Sequence, residues 1–337
     1  MKKLSTTALV IAAGMASSAQ AADFEVSDNT TVGVYGEFAP MLVSEKDGAG
    51  ESRSEFTDNG SIIGFSVDQR LDNGVTLFGV AEFEFLTDNS DNDFVFDAGY
   101  IGARGNFGRV QLGNFDSVYE DLIIDATEVA ELAEITDESV MSEDNQVAYY
   151  SPSFNGFSFR AQARYMGDGD DNAIAGQDSA EVGFSLAGGY SADNWGVYAG
   201  YDDRGSEVVD QYDANGNVTG QDYADNGTYG VSGIYGIGPV ELAAKYAIQD
   251  LEDNDPAGDD ITYAALRGTV TYGPGDVYAA VQEVMHDNDD VVADRTEFTV
   301  GVSHGVADNL DLWAEAGYFD QQNDAGDVMG VGAIYEF

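Results

Sequence analysis

Asp327–Phe337 reads DVMGVGAIYEF, and this stretch decides the fold. Met329, Val331, Ala333, Tyr335 and Phe337 fall on one face of an extended chain, with Gly330, Gly332, Ile334 and Glu336 on the other. A soluble domain gains nothing by stopping on Phe in mid-strand. A closed barrel in a membrane pairs its last strand with its first and leaves no edge. The same period of two recurs upstream. In Val240–Gln249, Leu242, Ala244, Tyr246 and Ile248 oppose Glu241, Lys245 and Gln249; in Gly156–Tyr165, Phe157, Phe159, Ala161 and Tyr165 oppose Ser158, Arg160, Gln162 and Arg164. Segments of about ten residues with this alternation have the length and pattern of strands with a lipid face and a water face.

The connections alternate in length. Asp72-Asn73-Gly74, Ser153-Phe154-Asn155 and Gly273-Pro274-Gly275 are tight turns. Glu45–Asn59, Asp116–Asp144, Gly167–Ser179, Arg204–Asp225, Asp250–Asp260 and Asp287–Asp294 are long and rich in Asp, Asn and Gly. Short turns at one rim and long loops at the other are the layout of an outer-membrane barrel. The alternation predicts an all-β, antiparallel transmembrane barrel of about 16 strands, a size that leaves an aqueous channel.

The other end of the chain carries a secretion signal. Met1-Lys2-Lys3 is basic, Ala8–Ala16 is a short apolar core, and Ala19-Gln20-Ala21 is a small-residue cleavage site. The expected organisation is a signal peptide over 1–21 and a barrel over 22–337. Removing the leader, which carries two Lys and no acid, takes the net charge from −49 to −51. That excludes nucleic acid as a partner, because such binders need a basic face. The 19 Tyr and 18 Phe argue against an acidic disordered chain. Zero Cys excludes disulfides and Cys-ligated metals, and two His make a His-based metal site unfavourable. No metal and no cofactor are expected beyond weak divalent cation binding in the acidic loops.

Asp144–Phe157, DNQVAYYSPSFNGF, resembles the Tyr-x-Ser-Pro segment that follows the third loop in the Gram-negative general porin family, trimeric outer-membrane diffusion porins. Gly99–Gly113 is similar to the strand–turn–strand before that loop, and Ser61–Gly74 to an early hairpin of the family. The final Tyr335-x-Phe337 resembles the signal read by the barrel assembly machinery. The resemblance implies a homotrimer embedded in outer-membrane lipid and lipopolysaccharide, with the third long loop folded into the lumen to narrow it.

By that resemblance the constriction falls on Asp116–Asp144. This loop holds Asp116, Glu120, Asp121, Asp125, Glu128, Glu131, Glu134, Asp137, Glu138, Glu143 and Asp144, with no Lys or Arg. In a short helical turn, Asp125, Glu128, Glu131 and Glu134 would share one broad side, with Val129, Leu132 and Ile135 interleaved to pack on the wall. The alternative is a solvated acidic surface loop. The opposing wall, basic in general porins, has here Tyr150 and Ile63 at two positions where the family places charge. The remaining candidates are Arg70, Arg104, Arg109, Arg160, Arg164, Lys245 and Arg267. Alternation turns Arg104, Arg160, Arg164, Lys245 and Arg267 inward, and with Arg70 the candidate basic wall is Arg70, Arg104, Arg160 and Arg164.

A shelf of carboxylates in a narrow aqueous lumen concentrates cations and repels anions. The expected function is therefore a cation-selective channel for passive diffusion of ions and small hydrophilic solutes. The rival readings are a substrate-specific uptake channel and a non-conducting structural or adhesive barrel. Catalysis is not expected. No Gly-x-Ser-x-Gly elbow is present, and the pairs His286-Asp287 and Ser303-His304 point to opposite strand faces. Asp213–Asn217 opens like a calcium loop but continues with Val218 and Ala224 where Gly and Glu are required.

Overall fold

The computed structural model describes residues 22–88, 94–138, 143–166, 181–203, 208–212, 218–223, 227–250, 260–287, 293–321 and 325–337. The expected leader, all of the acidic loop Gly167–Ser179, most of Asp250–Asp260 and Asp287–Asp294, and the calcium-like stretch Asp213–Asn217 lie outside the described residues. The strands are β1 Phe24–Ser27, β2 Thr30–Phe38, β3 Pro40–Lys46, β4 Ser52–Asp58, β5 Ile62–Arg70, β6 Thr76–Glu84, β7 Val95–Gly105, β8 Gly108–Asn114, β9 Gln146–Tyr150, β10 Phe157–Met166, β11 Glu181–Ala192, β12 Trp195–Asp203, β13 Val208–Tyr212, β14 Val218–Tyr223, β15 Gly227–Ile237, β16 Val240–Asp250, β17 Ile261–Tyr272, β18 Gly275–His286, β19 Arg295–Ala307, β20 Leu310–Tyr318 and β21 Val328–Glu336.

Nineteen of them form one sheet in which each strand pairs antiparallel with its neighbours. β2 with β3 and β4 with β5 are single staves bent at Ala39 and at Asn59-Gly60. Counted so, and with the short β1 set aside, the barrel has 16 staves. The terminal strand closes it as its alternation requires. Met329 pairs with Ser44 and Val331 with Leu42, and Tyr335 pairs with Phe38. The last residue joins the same ladder, with Phe337 N donating to Gly36 O at 3.0 Å and Gly36 N to Phe337 O at 3.1 Å.

Burial runs opposite to that of a soluble protein. Leu42, Ile101, Leu186, Val231, Leu266 and Val331 are exposed, whereas Gln111, Gln162, Lys245, Gln282, Glu297 and Glu315 are buried. Polar atoms gathered on the inner face keep the outer face apolar, as hydrocarbon demands. Near the short turns, Phe157, Tyr190 and Trp195 pack in series, edge-on at 4.8 Å and tilted at 5.2 Å, a piece of the aromatic girdle that sits at a membrane interface.

Three features depart from the sequence reading. Glu45–Asn59 is not one long loop: it contains β4, paired residue for residue with β3, and only residues 47–51 turn. SRSEFTD has a single large apolar residue, Phe56, so its alternation is nearly silent, and the turn is built by Asp47 Oδ1 accepting from Ala49 N and Glu51 N at 3.0 Å each. Arg204–Asp225 contains the hairpin β13–β14, whose valines and tyrosines lie among Asp and Gly. The third is β1, which pairs with β2 beyond the point where β21 ends.

Candidate functional site

The residues between β8 and β9 fold as helical turns without becoming a helix. Asp121 N donates to Ser117 O, Ile123 N to Tyr119 O and Ile124 N to Glu120 O, at 2.9 to 3.1 Å. From Glu128 to Glu138 the chain is irregular. Asp125, Glu128, Glu131 and Glu134 therefore do not lie along one helix as their spacing suggested. The tight Ala126–Ala133 stretch is held instead by contacts with the strands.

Those contacts are all to inner-face residues. Tyr119, Leu122 and Ile123 are buried with Ala187 and Tyr198, Ala126 with Ile234 and Ala243, and Ile135 with Ala265 and Ala280. Gly200 and Gly230 allow this approach, because a Cβ at either would strike Tyr119 and Ile123; Gly330 does the same beneath Leu132. Wall carboxylates bind the segment's backbone. Glu315 accepts from Glu131 N at 2.7 Å, Leu132 N at 2.8 Å and Ala133 N at 3.1 Å, and Glu297 accepts from Thr136 N at 2.7 Å and Thr136 Oγ1 at 2.6 Å. Basic side chains on the wall complete the clamp, with Arg295 donating to Thr136 Oγ1 at 3.1 Å. Arg160 donates to Asp121 at 2.5 Å, and fully buried Lys245 donates to fully buried Glu138 at 2.7 Å.

This seating sorts the candidate acids. Asp121 turns to the wall against Arg160. Asp125, Glu131 and Glu134 stay exposed, and Glu120 and Glu128 are half-buried. The exposed carboxyls touch water but stand close to the wall and to one another. Burial, and then the neighbouring carboxylates, push Glu120 up to about 9, Asp125 to about 8 and Glu134 to about 7. Burial also raises Glu128 and Glu131, with Lys245 pulling Glu128 back. Asp137 rises to about 6, restrained by Lys245.

The candidate bases separate as well. Register partners across β5 to β10 run Arg70, Thr76, Arg104, Arg109, Tyr150, Arg160, one side-by-side row on the inner face. The same row continues through Ala187, Gly200, Gly230 and Ala247, where the acidic segment sits. Arg70 is exposed. Arg104 pairs with Asp68 at 2.6 Å. Arg164 lies outside the row, buried against Asp144 at 2.7 Å. Arg109 belongs to the row, although the sequence reading left it out of the inward set; its guanidinium lies 3.7 Å from the Tyr150 ring centroid. Its signal was present, since Val110 and Leu112 take the outer face and leave Arg109 and Gln111 the inner. Glu315, Glu297 and the glycine track had no such signal. Among the described residues, no three His, Asp or Glu side chains converge to hold a metal ion.

A family description of Gram-negative porins matches residues 5–324. The chain belongs to the Gram-negative porin family. This porin is 30% identical to a protein named monosaccharide porin from Halomonas sp, over the full length of both chains, and 24% identical to the chitoporin of Vibrio furnissii over 98% of this chain and 90% of that one. In fold it is similar to the outer-membrane protein OmpT of Vibrio cholerae in trimer form, at a TM-score of 0.67 and 21% identity, covering 92% of this chain and 100% of OmpT. It is also similar to an anion-selective porin from Comamonas acidovorans, at a TM-score of 0.69 and 20% identity, covering 91% and 100%. The porin is a protein of the bacterial outer membrane.

Proposed function

We propose that this porin is a water-filled, cation-selective channel for passive diffusion of ions and small hydrophilic solutes, sugars of monosaccharide size among them. The observation that carries the reading is the acidic segment clamped to the inner-face side chains with Asp125, Glu131 and Glu134 left exposed. In this reading the segment narrows the lumen, and its carboxylates face the Arg70–Arg104–Arg109 row across the gap. Carboxylates outnumber unpaired bases there, so the local potential favours cations. The likeness to an anion-selective porin supports only the barrel, because the sign of selectivity follows the lining and not the fold. The sugar component is supported by the monosaccharide porin of Halomonas.

The same proposal takes residues 1–21 as a cleaved signal peptide, the assembled state as a homotrimer in contact with lipopolysaccharide, and Tyr335 and Phe337 as the signal read by the barrel assembly machinery. The OmpT trimer supports the oligomer. The test is the reversal potential of the purified protein in a planar bilayer under a potassium chloride gradient. A large potential of cation-selective sign, with conductance stepping in threes, is expected. Equal permeability to potassium and chloride would overturn the selectivity, and absence of conductance from folded protein would overturn the channel.

A further inference from the structure

The outside of a closed barrel is convex, yet a groove of about 730 Å³ lies on the outer face where β3 and β4 meet β20 and β21. Register builds it from small residues. Ala314 and Ala316 pair with Val331 and Met329, these pair with Leu42 and Ser44, and Ser44 pairs with Ser54. Ala and Ser thus stand where the outer face elsewhere carries Val, Leu or Phe. The β3–β4 hairpin that forms one side is held at a set angle. Asp58, at its bend, accepts from Ser61 N at 2.6 Å, Ser61 Oγ at 2.7 Å and Thr87 N at 3.1 Å. Two serine hydroxyls side by side suit hydrocarbon poorly, and small residues with hydroxyls are the surface on which protein packs against protein in a membrane.

A ridge stands nearby on the same face. Phe83 packs edge-on to Phe96 at 5.8 Å, Phe85 is tilted on Phe94 at 5.7 Å, and Phe38 is edge-on to Phe85 at 5.6 Å. Phe94 and Phe96 are 66% and 52% exposed. A girdle at a membrane interface is led by Tyr and Trp, which keep a polar end for water; this ridge is phenylalanine alone. Ridge and groove are placed for a ring. The groove centres between β21 and the β2–β3 stave, and the ridge between β6 and β7, three of the 16 staves away or about 70° around the barrel. In a closed ring of three, the directions to the two neighbours differ by about 60°; a ring of four needs about 90°, and a pair needs one self-complementary patch. A ring also needs both patches at one depth, since otherwise the copies climb into a filament. The ladder from Glu336 through Glu37, Ile62 and Glu84 to Val95 crosses four staves. With strands about 4.8 Å apart and tilted about 40°, it rises about 12 Å toward the long-loop rim. Val331 stands five residues above Glu336 on β21, about 13 Å at the same tilt. Ridge and groove therefore share a level.

We propose that the groove of one protomer receives the phenylalanine ridge of the next, Phe94 and Phe96 foremost, and that three such contacts close a ring around the β3–β4 hairpins. The interface deepens the homotrimer reading and rests on it. Each contact is head-to-tail: a protomer gives its ridge to one neighbour and its groove to the other. The sector from β20 through β21 and β2 to β7 turns to the partners, and the rest of the wall faces lipid. The rings fill the space that Ala314 and Ala316 leave open and take Ser44 and Ser54 out of hydrocarbon. Lipid acyl chains are the rival occupant. They would fill the groove, but they give no reason for a phenylalanine ridge three staves away at the same depth.

The porin has no cysteine, so A316C combined with F96C puts one thiol in the groove and one on the ridge without background. The unaltered full-length protein in mild detergent is expected to have the native mass of three chains. A short bismaleimide added to outer membranes that carry the double variant is expected to give a covalent trimer on a denaturing gel. A316C alone, F96C alone, and L186C with L266C on the opposite wall are expected to run as single chains. A316W, which fills the groove, is expected to abolish the native trimer while circular dichroism shows the barrel intact. A three-chain native mass with no covalent trimer from A316C and F96C overturns the interface and leaves the homotrimer standing. So does a three-chain mass with a crosslink that stops at two chains, or an A316W barrel that stays trimeric. A one-chain native mass of the unaltered protein overturns the homotrimer and the interface together.

Discussion

Replacing Lys245 with methionine (K245M) should free the acidic segment from the wall. Lys245 Nζ donates to Glu138 Oε2 at 2.7 Å and lies 3.6 Å from Asp137 Oδ1, with no side-chain exposure at Lys245 or Glu138. Tyr119 Oη donates to the other oxygen of Glu138 at 3.0 Å. The one carboxylate thus ties both arms of the segment to β16. Methionine fills the space of the lysine stem but leaves Glu138 charged, buried and short of its partner. Breaking a buried pair from one side costs about 3–5 kcal/mol. At about 1.4 kcal/mol per factor of ten, local opening becomes two to three and a half orders of magnitude more frequent. The chain has no cysteine, so one introduced thiol reports without background. Thr127 is 1% exposed and lies beside Ala126, which packs on the neighbouring Ala243. The rate at which a water-soluble reagent labels the thiol of T127C should rise by at least about a hundredfold when K245M is added. Adding E138Q should bring it down again, because the neutral amide no longer needs the ammonium. Circular dichroism checks that the barrel persists. A rise of less than about threefold in an intact barrel would refute the reasoning, since it would mean that the pair is not what holds the segment.

Four further outcomes follow from the same geometry. Cation preference should fall as pH is lowered from about 9 to 6, because Glu120, Asp125 and Glu134 have been pushed up to about 9, 8 and 7 and lose charge in that window; reversal potentials that do not move between those limits would place these groups away from the current. The linkage has the matching sign: carboxyls raised on folding stabilise docking in acid, and that contribution is lost as pH rises through the raised values, so labelling of T127C, divided by the rate of a free thiol at the same pH, should quicken between about pH 7 and 9. Gly230→Val should displace Tyr119 and Ile123, costing about 1–3 kcal/mol of docking and changing unitary conductance, while Gly233→Val, with no close neighbour but wall atoms, should leave conductance as it was. Deleting Phe337 removes the two backbone bonds to Gly36 and the ring contact with Phe38 at 5.6 Å, and should lower the yield of folded protein in outer membranes without affecting its synthesis.

The barrel was legible because lipid imposes a simple rule on every strand: apolar outward at alternate positions. Leu242, Phe159 and Val331 obeyed it, and strand ends followed to within a few residues. β4 escaped because a strand with one large outward residue carries almost no periodic signal. The acidic segment was legible as a place and not as a shape. Spacing of three suggested a helix, but the hydrogen bonds that settle its path run to Glu315 and Glu297, more than 150 residues away, and no local pattern encodes them. Arg109 shows the opposite failure, a residue whose alternation was plain on inspection of Val110 and Leu112.

The remaining question is how so acidic a segment rests on a wall that is itself acidic. The wall carboxylates do not meet the segment's carboxylates. Glu315 and Glu297 meet its backbone N–H groups, which an irregular chain leaves unsatisfied and which carboxylates bind strongly. Asp121 and Glu138, the two segment acids driven fully into the wall, each have a cation beside them, Arg160 and Lys245, and Asp144 at the segment's end has Arg164. The others remain exposed or half-exposed, so their charge faces water and not the clamp. In the proposed channel reading, the charge that holds the segment and the charge offered to the pore thus fall mostly on different residues. A saline habitat alone would scatter added Asp and Glu over any wet surface. It would not divide them so that the wall's acids grip backbone while the segment's acids gather on the free side, and that division is why the acidity of this segment is read as selectivity.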